Sequence, residues 1–293
     1  MSSIVVFCGF VYAVYRGFGF DPLLLSLTLV GVLMLHAVGN WVNDYYDYAR
    51  GVDRAGTGTV VYRPHPILGG IMSLDTLRNM ILLLALGSIA IGLTLVLVFN
   101  RPLVLFLGLA GLLAGLIYSG PPYLKHRALG EPLVAVVFGP MIMVGSYYVA
   151  SGVLSVETLV VSVPLGLLIS AVLLANNIRD ESTDREAGVK TLAVILGRKN
   201  TVNLYAGMIY VSYAVTALAV ALRILPITSL ATLVTISRAF RLVREMRINT
   251  PPDADPRTAE IVQLYGLTLL ISLILGVILE RCLPSLPTHS CSP

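Results

Sequence analysis

The chain has 293 residues, of which 56% are hydrophobic and only 12% are charged, with a mean hydropathy of +0.85 and a net charge of +4. A soluble domain carries roughly twice that share of charge, so a water-soluble globular fold is excluded, and nucleic acid is not an expected partner. Apolar segments of membrane-spanning length recur from end to end, which predicts an all-α polytopic membrane protein forming a single transmembrane domain over 1–293. A barrel would show short alternating segments instead. Cys8, Cys282 and Cys291 are scattered and match neither a metal spacing nor a disulfide framework. With no basic residue before Arg16, the first apolar run reads as a spanning helix and not as a cleavable signal.

Nine spans are predicted in chain order: 3–19, 22–47, 74–99, 102–119, 131–152, 156–178, 201–222, 226–244 and 260–283. Asp21-Pro22 marks the first turn, Asn100-Arg101-Pro102 separates the third and fourth spans, and Ser119-Gly120-Pro121-Pro122 ends the fourth. Ser73 is the expected N-cap of the third span, with Asp75 in its first turn. Loops alternate between short and long. The four long ones (48–73, 120–130, 179–200 and 245–259) fall on one face, which holds 16 of the 20 Lys and Arg residues, all but Arg16, Arg101, Arg223 and Arg281. That asymmetry predicts a cytoplasmic location for the long loops.

The same face carries most of the acids, in two clusters at the ends of apolar runs. A carboxylate near mid-bilayer costs about 2.5–3.5 kcal/mol on insertion scales, so each cluster asks for a compensating positive group. On a helix, Asn40, Asn43, Asp44 and Asp47 fall at i, i+3, i+4 and i+7. Asn176, Asp180 and Asp184 fall at i, i+4 and i+8, with Asn177 close to Asp180. Each helix thus presents a column of oxygen donors and no Cys or His ligand within it, which selects a hard cation over zinc or copper. Two facing aspartate columns suit two or more Mg²⁺ ions that bridge a diphosphate.

Arg63, Lys125, Arg179 and Lys190 are candidates to complete an anion's shell. Arg179, Arg185 and the arginines from Arg238 to Arg247 read equally as topology signals and lipid-headgroup contacts. Asp53, beyond Gly51, has a weaker claim on a metal. His36 reads first as a hydrogen-bonded core residue. Trp41, Tyr45, Tyr46 and Tyr48 read as an interfacial aromatic belt.

The pattern Asn40, Asn43, Asp44, Asp47, Gly51, Asp53 and the run NNIRDESTDREAGVKTLAVILG at 176–197 resemble the two signatures of the UbiA superfamily of intramembrane prenyltransferases. The stretch YSGPPYLKHRALGE at 118–131 resembles that family's loop after its fourth helix. Within the superfamily these runs look most like the branch that prenylates dihydroxynaphthoate or naphthoquinone rings. The family's usual Arg-Pro pair near the start of the first helix has no counterpart before Ile4, and Arg63-Pro64 is similar to its Arg-Pro in the second loop. The resemblance implies nine helices around a central cavity, a cap of cytoplasmic loops, Mg²⁺ and a polyprenyl diphosphate.

Prenyl transfer is therefore the expected activity. Asp44, Asp47, Asp180 and Asp184 are the expected metal ligands. Asn40, Asn43, Asn176 and Asn177 are expected around metal waters or phosphate oxygens, with Lys125, Arg63 and Lys190 adding positive charge. Tyr118 reads either as a π face that shields an allylic cation or as an interfacial anchor. The acceptor is expected to be an aromatic ring of the 1,4-dihydroxy-2-naphthoate type. Alternatives keep the fold and donor but prenylate an ether-lipid glycerol phosphate or another acceptor. A more distant alternative is a cation-coupled transporter, against which stands the lack of an acidic path to the other face.

Overall fold

The structure is a computed structural model and describes residues 1–51 and 65–282. Asp53 and Arg63 lie outside the described residues. Among the described residues the chain is all-helical, with one isolated β-bridge.

Helices α1 (Ser2–Tyr15), α2 (Pro22–Ala49), α3 (Leu74–Leu97) and α4 (Pro102–Ser119) run up and down with short turns at one end. Asp21 caps α2 by accepting from the backbone N–H of Leu23 at 2.8 Å and of Leu24 at 3.2 Å, with Pro22 at the first helical position. Ser73 caps α3 as the sequence predicts, accepting from Thr76 N–H at 3.1 Å.

The fifth span is composite. Helices α5 (Gly130–Val136) and α6 (Ile142–Ser151) are joined by a five-residue π-helical turn, Val137–Met141, that contains Pro140. Proline has no N–H to give the ladder, and the wider turn absorbs it. Gly139 there meets Gly166 of α7 (Val156–Arg179) so closely that a Cβ on Gly139 would stand 2.8 Å from the Gly166 Cα. Glycine at both positions is what lets these backbones touch.

Two short helices, α8 (Glu181–Glu186) and α9 (Leu192–Leu196), lead into α10 (Arg198–Ala221). The chain then forms a 3-10 helix, Ile227–Thr235, followed by α11 (Ile236–Ile248) and α12 (Ala254–Cys282).

Seven helices are long and apolar enough to cross a membrane, with bounds within a few residues of the predicted spans except at the start of α12. The other two predicted spans differ. Helix α1 has 14 residues, about 21 Å at 1.5 Å per residue. The segment predicted as one helix at 226–244 is split. Its first half buries Ser229, Thr232 and Thr235, a period of three that suits a 3-10 turn. Its second half, α11, buries Ala239, Leu242, Val243 and Met246 and exposes its arginines.

The larger core joins α1, α6, α7, α10, α11 and α12 around Leu165, Leu168, Leu174, Tyr205 and Tyr265. Inside it, hydroxyls pair across helices: Tyr205 with Thr258 at 2.8 Å, Tyr213 with Thr235 at 2.7 Å and Thr216 with Tyr265 at 2.5 Å. A smaller core of Val6, Phe10, Leu24, Leu95 and Val149 closes the opposite side of the bundle. Outward faces carry leucine and phenylalanine, with Leu86 64% and Phe106 74% exposed, as a lipid-facing surface requires.

Candidate active site

A single cavity of about 740 Å³ runs between α2, α3, α4, α5–α6 and the ends of α7 and α12. Most of its wall is apolar. Its polar groups gather at the end where α2 and α7 finish, roofed by the loops after α4 and α7.

Two donor walls face each other there. Asn40, Asn43 and Asp47 of α2 line one side, and Asn176, Asn177, Asp180 and Asp184 line the other. Helix α7 stops at Arg179, yet Asp180 N–H bonds to Asn176 O at 3.0 Å and Asp184 N–H to Asp180 O at 2.8 Å. The i+4 register therefore passes through the break and keeps the second column on one face. Asp44 differs from the expectation. It is buried, at 1% exposure, and does not line the cavity among the described residues. Neighbouring helix positions stand about 100° apart, so a wall that takes in Asn43 turns Asp44 aside.

Each column already carries a cation. Lys125, from the loop after α4, donates its ammonium to both Asp47 oxygens and, at 2.8 Å, to Asn43 Oδ1. Ser119 Oγ donates to the same amide oxygen at 2.6 Å. With two donors on its oxygen, Asn43 is left to offer its NH₂ group to the cavity. Arg179 bridges the second column: it donates to Asp180 at 2.9 and 2.8 Å and to Asn176 Oδ1 at 2.7 Å, and pairs with Asp255 of α12. Asn177 is set the other way. Its Nδ2 donates to the buried carboxylate of Glu131 at 2.8 Å, so its carbonyl oxygen is the free end.

Asp184 accepts from Thr191 Oγ1 at 3.3 Å, and burial together with Asp180 pushes its carboxyl up to about 6. His126 also lines the cavity. Burial, with Lys125 and Arg50 beside it, pulls its imidazole down to about 4. Arg50 sits 2.9 Å from its Nδ1 and can only donate, so Nδ1 is the acceptor and the proton sits on Nε2, which is buried and without a partner among the described residues.

Tyr118 lines the cavity beside Gly130, near Glu131 and Asp47. His36 lines it deeper, bonded to Ser2 Oγ at 2.9 Å and edge-on to Phe138. Lys190 is not brought in. Its side chain is exposed, and its backbone bridges to Arg127, tying the loop after α4 to the loop after α7. Arg179, which the sequence leaves between a topology signal and an anion ligand, is a partner of the acidic column. Sequence reasoning passes over Asp255, Glu131, Ser119 and His126; the last three stand inside the 118–131 run, and Asp255 has no local signal.

The residues present fit a hard divalent cation. Four lining carboxylates (Asp47, Asp180, Asp184, Asp255) face two lining cations that touch them, Lys125 and Arg179. The described residues form no group of three or more His, Cys, Asp or Glu close enough to close around an ion. Open, oxygen-only coordination that leaves room for waters and a phosphate is the habit of Mg²⁺.

The fold and site define a polytopic membrane protein with an oxygen-donor mouth for an anion and its metal above a deep apolar cavity. Residues 3–277 match the UbiA prenyltransferase family, to which the chain belongs, and it is a prenyltransferase. It is 34% identical over 271 residues to UbiA prenyltransferase domain-containing protein 1 of Mus musculus, covering 89% of this chain and 77% of that one. It is 29% identical over 216 residues to the 1,4-dihydroxy-2-naphthoate octaprenyltransferase of Bacillus subtilis, covering 72% and 67%. Among solved structures, the apo UbiA homolog from Aeropyrum pernix K1 superposes with a TM-score of 0.69 at 19% identity, covering 96% of this chain and 98% of that one. The UbiA homolog from Archaeoglobus fulgidus bound to DMAPP and Mg²⁺ gives 0.64 at 16%, covering 94% and 96%.

Proposed function

We propose that this protein transfers a polyprenyl group from a polyprenyl diphosphate to an aromatic quinone precursor of the 1,4-dihydroxy-2-naphthoate type, in a reaction that needs Mg²⁺. The observation that carries the reading is the pair of acid-and-amide walls across the mouth of an otherwise apolar cavity. The Bacillus relative's acceptor supports the aromatic class, and the ligands of the Archaeoglobus homolog support the donor class and the metal.

Asp47, Asp180 and Asp184 would hold the metal, in two or more ions, with Asp44 contributing from behind the α2 wall. Bound Mg²⁺ supplies charge that neutralises the departing diphosphate. Lys125 and Arg179 hold fixed positive charge at the same place, with Arg63 as a further donor. Asn43 and Asn176 offer N–H groups to phosphate oxygens, and Asn40 stands on the same wall. The C1–O bond of the allylic diphosphate breaks and the electron pair leaves with the diphosphate. The aromatic carbon then bonds to C1 of the allylic cation and the ring loses its proton. Tyr118 presents its ring at the mouth, where a π face stabilises developing positive charge. The apolar walls exclude the water that would otherwise capture the cation.

The whole chain acts as one domain of nine helices, with α1 and the 3-10/α11 segment completing the bundle. The polar mouth faces the cytoplasm, as the 16 to 4 split of basic residues indicates.

The test uses purified protein, labelled geranylgeranyl diphosphate and a panel of acceptors: 1,4-dihydroxy-2-naphthoate, 4-hydroxybenzoate and a glycerol phosphate. A prenylated naphthoate product that requires Mg²⁺ is expected. A prenylated glycerol phosphate alone would overturn the acceptor and leave the donor chemistry standing. Unchanged diphosphate release in both Asp47→Ala and Asp180→Ala would overturn the site.

A further inference from the structure

Resting on that reading, we infer that the cavity measures its donor: Gly92 and Gly108 admit a fourth isoprene unit, and a floor of Leu27, Leu95, Val104 and Val149 stops the chain at about five.

The depth can be read from the helices. The Ser119–Asn43 bond fixes α4 and α2 at one level just inside the mouth. At 1.5 Å per residue, Gly108 lies about 16 Å below it on α4, and Gly31 lies about 18 Å below it on α2. Gly31 faces Ile91, with a Cβ there 3.3 Å from the isoleucine Cγ2, so Gly92 shares that depth on α3. Leu27 is about 24 Å down. Below the glycines, Leu95 and Val149 line the cavity and belong to the smaller core, with Leu27 and Val104 packed against it. The cavity ends there in packed side chains.

An extended prenyl chain advances about 5 Å per unit, from four carbon–carbon bonds of about 1.5 Å. Two units end well above the glycines. Four pass them, and about five reach the floor.

Gly92 and Gly108 have no packing reason to be glycine. A Cβ at either position meets no atom within 4 Å, unlike Gly139 and Gly166, whose Cβ atoms would collide with backbone. Glycine inside a helix is unfavourable against alanine, so two of them facing open cavity at one depth mark space kept for something else. A second observation points to cavity contents at that end. Ser146 lines the cavity at 1% exposure, and its hydroxyl has no hydrogen-bond partner among the described residues. An unsaturated chain offers such a hydroxyl π electrons that a saturated acyl chain lacks.

The test is competition against labelled geranylgeranyl diphosphate by unlabelled geranyl, farnesyl, geranylgeranyl and octaprenyl diphosphates, with Mg²⁺, on the full chain in detergent. The parent protein is expected to prefer the four-unit donor to both the two-unit and the eight-unit one. Gly108→Phe and Gly92→Phe are expected to weaken geranylgeranyl diphosphate by about ten-fold, the cost of overfilling a packed site, and to leave geranyl diphosphate within about two-fold. Gly108→Leu serves if the phenylalanine variants do not fold, and retained geranyl diphosphate binding certifies the fold. Equal weakening of all four donors, or octaprenyl diphosphate bound as tightly as the four-unit donor by the parent, would overturn the length rule while the enzyme reading stood. A parent protein that binds none of the four would overturn both.

Discussion

Replacing Lys125 by methionine separates the two roles the structure gives it. The Lys125–Asp47 pair is nearly enclosed, with side-chain exposures of 15% and 7%, so solvent screens it little. Removing one member of a buried pair costs about 3–5 kcal/mol, because the other charge is left behind. At about 2–4 °C per kcal/mol for a chain of this size, the metal-free protein should melt at least about 6 °C lower. Mg²⁺ should then give back more than it gives the parent, since in the parent a cation must first displace the ammonium from Asp47. Turnover should nevertheless fall by about 10²–10³, the usual loss when one preorganised electrostatic partner of a leaving group is removed. The assays are thermal unfolding with and without Mg²⁺, and diphosphate release at saturating donor. A variant whose Mg²⁺-induced shift equals the parent's and whose turnover stays within about three-fold would refute the argument.

Asp47→Ala should cost at least about 10² in turnover and Asp44→Ala about ten-fold or less, because only Asp47 faces the cavity; a reversed order in diphosphate release would return Asp44 to the wall. Glu131→Leu leaves the Asn177 amide without its acceptor, a loss of about 1–3 kcal/mol; Glu131→Gln keeps an acceptor oxygen and should restore kcat, whereas equal losses in both would assign the acid to the negative charge itself. His126 is held neutral, pulled down to about 4 from an ordinary value near 6.5. The unfolded chain therefore binds the proton more readily, and stability should fall as pH drops from about 6.5 toward 4. His126→Phe should flatten that part of the unfolding-versus-pH curve, and an unchanged curve would contradict the burial argument.

The spans were legible because hydropathy and length survive any tertiary detail. Ser73 and Asp21 announce their helices by chemistry that acts within four residues. The 226–244 segment was not legible, because an apolar 3-10 turn and an apolar α-helix have the same hydropathy; only the burial of Ser229, Thr232 and Thr235 at a period of three gives it away. The two donor columns were legible from helical spacing. Spacing cannot tell Asp44 from Asp47, which are one turn apart, since the neighbour that defines the wall comes from elsewhere in the chain. Asp255 is the clearest case: it pairs with Arg179 across 76 positions of sequence. Lys190 shows the converse, a basic residue in the right loop whose side chain points away.

The π-helical turn at Val137–Met141 makes the fifth span sensitive to length. Cavity-lining residues there recur at Val137, Met141, Gly145 and Val149, every fourth position. A regular α-helix would drift about 40° for each such step, and the wide turn takes up part of that drift. Losing one residue between 137 and 141 would let the helix close into an uninterrupted coil and rotate everything after it by about 100°. Ser146 and Val149 would leave the wall, and Met143 and Tyr147, now in the core against α1, would swing toward the cavity. Substitutions along this helix trade one side chain for another. A single deletion would exchange its two faces, so this segment should tolerate changes of residue far better than a change in their number.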